Sequence, residues 1–215
     1  MTRHFSNQCH GFTLLDLITA MAITAILVTV AVPSFDSYVR KNAVFSDRKM
    51  INSALMSARY EAVARNKTVS ICPSGTGENC DGDWNEGWIV FQDDGADHSG
   101  TARDGVRNGD EEVVLASIYD GSNSFSILDV STESSLDYLS FNEYGRPSVE
   151  GEQVNRPILI QICGAKKVAS FARGLMLIGT GRVLQTIDSD GDGVHESRFA
   201  NASNTLSSTS DLSCL

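Results

Sequence analysis

The sequence is short of cations: 17 lysines and arginines stand against 27 acids in 215 residues, a formal net charge of -10 at pH 7. General nucleic-acid binding needs a basic face that neutralises phosphates and releases counterions, so this balance argues against a nucleic-acid partner. Histidine is scarce as well, with four in the chain. His4 and His10 precede the apolar N-terminal stretch, and His98 and His195 stand in hydrophilic surroundings. A serine or cysteine nucleophile needs a partnered base, and no G-x-S-x-G elbow, H-E-x-x-H helix, phosphate loop or dinucleotide fingerprint is present, so the sequence reads as a non-enzyme. The five cysteines form no C-x-x-C pair, which weakens zinc and thioredoxin-like readings. Glycine is absent from residues 12–66, which leaves one long helix open there. The length suits one globular domain with an accessory element.

Charge is absent from residues 17–33, LITAMAITAILVTVAVP, and residues 12–15 extend the apolar character across a single acid, Asp16. A helix over residues 12–35 reaches about 36 Å, enough to cross a hydrocarbon core of about 30 Å. A secretory signal is the competing reading, but no A-x-A-like cleavage site follows and the run passes directly into an amphipathic pattern. An acid within such a stretch is costly in lipid and marks a functional group that awaits a counter-charge. Ahead of it stands the polar leader MTRHFSNQCHG, ending in Gly11. Loss of that leader removes Cys9 and leaves Cys72, Cys80, Cys163 and Cys214, the even number expected of a disulfide-bonded domain in an oxidising compartment.

Beyond Pro33, Ala43, Val44, Met50, Ile51, Ala54, Leu55, Ala58, Ala62 and Val63 recur at helical spacing, with Arg48, Lys49, Arg59, Glu61 and Arg65 on the other positions. One helix of about 50 residues follows, about 80 Å long; two helices broken at Pro33 are the alternative. After Lys67 the pattern changes to short strands: TVSIC, GWIVFQ, EVVLASI, SFSILDV, DYLSFN, PILIQIC, GLMLIG and RVLQTI, separated by glycine, asparagine and aspartate turns. The expected fold is α+β. A long N-terminal helix, transmembrane over residues 12–35 and amphipathic over 36–66, packs on an antiparallel β head at 67–215.

The G-F-T-L-x-acid-L sequence ahead of a long apolar helix resembles the processing site of type IV prepilins and type II secretion pseudopilins. The resemblance implies that residues 1–11 are a leader, that a prepilin peptidase cuts between Gly11 and Phe12, and that Phe12 becomes the N-methylated first residue. It also implies a helix kink at Pro33 and an assembly role for Asp16, whose carboxylate would pair with the terminal amine of a neighbouring subunit. The family usually carries glutamate there, one methylene longer. The order Ser70-Ile71-Cys72-Pro73, Cys80, Gly87-Trp88-Ile89-Val90-Phe91, Phe141-Asn142-Glu143-Tyr144-Gly145-Arg146-Pro147, Gly181-Arg182-Val183 and a C-terminal cysteine is similar to H-type pseudopilins and FimT-like or FimU-like minor pilins. The resemblance implies a type IV pilin fold and a structural subunit of a type IV pilus or a type II secretion pseudopilus. Its partners would be the peptidase, other pilins and the inner-membrane assembly platform. It would sit in the bacterial inner membrane as a single-pass protein with a periplasmic head, and in the filament or at the cell surface after assembly.

Two alternatives accompany this reading. Some FimT-like pilins bind DNA through a basic G-R-x-R element; here Gly181-Arg182-Val183-Leu184 lacks the second arginine. A calcium-dependent tip adhesin rests on Asp188, Asp190, Asp192 and Glu196, which set oxygen ligands at alternate positions between glycines; a metal-free polar turn reads equally well. An EF-hand would need its glutamate where Phe199 stands. Asp93, Asp94, Asp104 and Asp110 read as a solvated acidic loop. Four cysteines permit three pairings. Cys72–Cys80 is expected because TGEN, with flanking residues, lets the chain double back, and Cys163–Cys214 because it pins the tail to PILIQIC.

Overall fold

A computed structural model describes residues 13–95, 103–108, 111–130, 132, 134–149, 151–154, 156–200 and 206–214. A single helix, α1 (Leu14–Arg65), is unbroken at Pro33. It ends where Asn66 turns left-handed at φ 55° and the Lys67 amide bonds back to the Ala62 carbonyl at 3.2 Å, a Schellman closure. The strands are β1 (Val69–Pro73), β2 (Gly87–Gln92), β3 (Val113–Ile118), β4 (Ser124–Asp129), β5 (Ser134–Ser135), β6 (Leu139–Phe141), β7 (Pro147–Val149), β8 (Glu152–Gln153), β9 (Ile158–Cys163), β10 (Arg173–Leu177), β11 (Val183–Gln185), β12 (Glu196–Ala200) and β13 (Leu206–Asp211). The first sheet runs β3-β2-β1-β6-β7-β8, the second β11-β10-β9-β4-β5, and β12 and β13 form a ribbon.

The chain divides into two units, Met1–Val39 and Arg40–Leu215. In the first, α1 carries exposed apolar side chains, among them Leu14, Leu17, Met21, Ile26 and Val32. Its apolar stretch is long enough to cross a membrane.

In the second unit α1 lays Val44, Ile51, Ala54, Leu55, Ala58 and Ala62 into one core. The first sheet contributes Val69, Ile71, Trp88, Val90, Leu139 and Phe141 to it, and the second Ile127, Ile158, Ile160, Ile162, Leu175 and Leu177. Strand alternation sends the intervening residues outward. Cys72, Ile89 and Phe91 gather on the outer side of the first sheet, with Cys80 packed against them. Leu159, Cys163 and Met176 do the same on the second, where Leu212 and Cys214 of the tail join them. Disulfides join Cys72 to Cys80 and Cys163 to Cys214, with Cα separations of 5.6 and 5.7 Å. Each therefore pins one chain segment over the outer face of one sheet. That second cover explains why β1 is buried from Val69 to Cys72 and β9 along its whole length, instead of on alternate residues.

Asp47 of α1 ties the helix to the sheets by accepting from the Tyr119 hydroxyl at 2.8 Å and the Asn123 amide at 2.6 Å. Burial, and then the bond to this carboxylate, push the Tyr119 phenol well above its ordinary pKa. Arg48 corrects the sequence expectation. It is buried, on the same stripe as Val44 and Ile51 and not on the polar side. Strands β5, β7, β8, β12 and β13 escape the sequence patterns because they are two or three residues long, start at a proline, or are largely polar.

Candidate functional site

The start of α1 is built by a reciprocal cap. Thr13 donates its backbone N–H and its hydroxyl to the Asp16 carboxylate at 3.0 and 2.8 Å, and its hydroxyl oxygen accepts the Asp16 amide at 3.2 Å. This is a capping box with aspartate at the third helical position. The T-x-x-D signature ahead of an apolar run was legible, and it gives Asp16 a partner inside its own chain. Gly11 and Phe12, at the expected cleavage point, lie outside the described residues. Pro33 lies within α1, which continues as helix on both sides of it, although proline has no N–H to donate to the Thr29 carbonyl.

In the head, the two glycine turns that carry the family resemblance meet on the helix. Asn142 closes the first by accepting the amides of Tyr144 and Arg146, each at 3.0 Å. Arg59 of α1 donates through Nε to the Gly145 carbonyl at 3.0 Å and through Nη2 to the Thr180 carbonyl at 3.4 Å. Gly145 and Gly181 adopt φ of 70° and 78°. A Cβ at Gly181 would stand 2.0 Å from the Gly145 carbonyl oxygen, so no side chain fits there.

Asp188, Asp190, Asp192 and Glu196 converge, with one carboxylate oxygen of each within 4.8 Å of the others. The loop's own amides already use these oxygens. Asp188 accepts from Gly191 at 2.7 Å and Gly193 at 3.0 Å, Asp190 from Asp192 at 3.1 Å, and Asp192 from Val194 at 2.7 Å. Glu196 is buried and accepts the Ser189 amide and hydroxyl at 2.8 and 3.0 Å. Burial opposes its charge, yet those bonds outweigh it and hold the carboxyl below the usual glutamate value. The sequence reading missed Asp211, which the ribbon sets opposite Glu196. Desolvation and the charges of Asp192, Asp190, Glu196 and Asp188 raise its pKa. Hard oxygen donors in this arrangement suit calcium better than a soft metal.

The acidic loop after β2 is only partly solvated. Asp93 is fully buried. Its carboxylate accepts the Ser70 hydroxyl at 2.6 Å, the Arg103 amide at 2.6 Å and the Gly105 amide at 3.0 Å. It thereby holds the loop across the first sheet, and burial raises its pKa despite these bonds. Asp94 pairs instead with Lys67, and Asp104 is half-buried. Asp110 and His98 lie outside the described residues. His195 is half-buried; burial and then the Arg173 charge lower its pKa, and its Nδ1 lies 2.8 Å from the Thr186 carbonyl oxygen.

Residues 50–181 match the family model of the type II transport protein GspH. A search of curated proteins finds no significant match. Among solved structures, the chain is similar to the type IV minor pilin FimU of Pseudomonas aeruginosa PAO1, at 18% identity over 70% of this chain and 92% of that one, with a TM-score of 0.46. It is also similar to the minor pseudopilin EpsH of the Vibrio cholerae type 2 secretion system, at 9% identity over 69% of this chain and 98% of that one, with a TM-score of 0.43.

Proposed function

The chain belongs to the GspH family of type II transport proteins, and on that premise we propose that it is a minor pilin or pseudopilin, cut after Gly11 and added to a filament or its tip complex. The observation that carries the proposal is the joining of two features in one chain. An apolar helix with one acid in its first turn leads into a disulfide-pinned head that matches the family. The helix supplies membrane insertion and helix-to-helix packing, and the head supplies contacts outside the membrane. Asp16 is the proposed partner of a neighbouring subunit's terminal amine, since an acid in lipid needs a counter-charge. Mass spectrometry of the membrane-extracted protein tests the reading: the expected chain begins at Phe12 and carries an N-methyl group. A native N-terminus beyond residue 30 would mean an ordinary secretory signal and overturn it.

Calcium is proposed as the cation for Asp188, Asp190, Asp192 and Glu196, supported by the convergence of their oxygens. Millimolar calcium should raise the thermal midpoint of the extracted protein, and a chelator should reverse the rise. No shift would discard this cation.

A further inference from the structure

Arg48 occupies a core position on α1. Val44, one turn before it, and Ile51, one turn after, keep 0% and 1% of their surface exposed, and Arg48 itself keeps 7%. Arginine does not shed its proton in proteins, so burial cannot be relieved by neutralisation. The guanidinium lies over the Phe45 ring, 4.8 Å from its centroid. Among the described residues it forms no ion pair and no hydrogen bond, whereas Arg65, Lys67 and Arg103 all reach acids. Burial alone pulls its pKa below the ordinary arginine value.

A second cation stands at the same end of the core. Arg173 opens β10 opposite Ile162, and Leu175 and Leu177 follow it opposite Ile160 and Ile158 on the face turned to α1. Strand alternation therefore sets Arg173 on that face. Its Nη1 donates to the Ser170 and Ala172 carbonyls at 3.1 and 2.6 Å, which leaves the other side of the fork unused among the described residues. Burial and then the Arg48 charge lower its pKa. Asp188, the acid that acts on Arg173 and His195, is occupied by the amides of Gly191 and Gly193 and forms no ion pair with either arginine.

A buried charge without a counter-charge destabilises the fold, and a partner's opposite charge offsets that cost. We propose that Arg48 and Arg173 together receive a carboxylate side chain from a neighbouring filament subunit, in an ion pair made only on assembly. This rests on the filament-subunit reading above. Two forked guanidinium groups match the planar carboxylate. A covered site admits a group on a narrow side-chain stem more readily than a lipid phosphate flanked by its esters.

The test uses the full chain in filament-producing cells. Arg48→Met is expected to keep or raise the thermal midpoint of the detergent-extracted subunit, since it removes an unpaired buried charge. Its share in sheared filaments should fall by at least about tenfold, the effect of losing a buried ion pair. Arg48→Lys, treated in filaments with a zero-length carbodiimide, should cross-link position 48 to an acid of another subunit, and should not do so in dispersed protein. Wild-type incorporation of Arg48→Met would overturn the proposal. So would cross-links confined to one chain, or absent, including the case where Arg48→Met lowers the midpoint and Arg48 is merely structural. If the wild-type chain itself is missing from filaments, the filament reading fails and takes the proposal with it.

Discussion

Gly145 and Gly181 press their turns together beside Arg59, and the contact leaves no room for one methyl group. Gly181→Ala is expected to lower stability by about 2–4 kcal/mol, combining positive-φ strain with the clash, read as a lowered denaturant midpoint at unchanged slope. Gly151→Ala, also at positive φ but with open space around it, should cost about 1 kcal/mol. Asp93 makes the second case. Asn would point an amide at N–H donors, so Asp93→Asn should cost about 1–3 kcal/mol. Because burial raises the folded pKa of Asp93 above its unfolded value, this group's stabilisation is fully present below the ordinary carboxylate range and lost as pH rises through the folded pKa. The gap between wild type and Asp93→Asn in thermal midpoint should therefore widen on acidification from neutral pH; a gap that narrows would refute the assignment. Asp93 and the less buried Asp94 and Asp104 stand in similar polar, glycine-containing sequence, so sequence alone could not rank them. Arg48 was legible, since its spacing from Val44 and Ile51 is that of the buried stripe, but the residue type outvoted the spacing.

The two disulfides act on elements and not on single contacts. Cys163–Cys214 closes 51 positions and Cys72–Cys80 closes 8, so in the chain-entropy model they constrain the unfolded state by about 4 and about 2.5 kcal/mol. Cys163→Ser should lower the thermal midpoint more than Cys72→Ser, and should also free Leu212 from its buried seat on the second sheet, seen as faster hydrogen exchange in the tail. Equal losses would contradict this ranking. The long strands and the helix were legible from periodicity because burial on one or two faces writes a pattern of apolar residues. The β12–β13 ribbon was not, because its residues include Glu196, Ser197, Arg198, Ser207, Ser208 and Asp211, and such polar side chains carry no face preference. The cap at Thr13 is legible in the T-x-x-D spacing, which makes Asp16 a capping residue as well as an acid in an apolar stretch.

At the scale of the whole molecule, the core of the second unit takes its first residue at Val44, so a fragment of residues 40–215 should fold cooperatively without detergent. One starting at residue 54 lacks Val44 and Ile51 and should not; cooperative unfolding of the shorter fragment would show that the helix is dispensable to the core. The fold class was legible in the sequence because a charge-free run, an amphipathic run and a series of short strands follow one another in that order. The joining of both sheets through one helix stripe emerges only in the folded chain, since the sequence does not say which strands neighbour which. The disulfides hold a consequence for how the molecule is made. Along the head the first cysteine is bonded to the second and the third to the fourth, and the two loops neither cross nor nest. A polypeptide threaded head-first-residue onward into an oxidising space presents Cys72 and Cys80 as a pair before Cys163 arrives, then Cys163 and Cys214. Oxidation in order of arrival would yield the native connectivity, so yield is expected to survive loss of a disulfide isomerase but not loss of the oxidase.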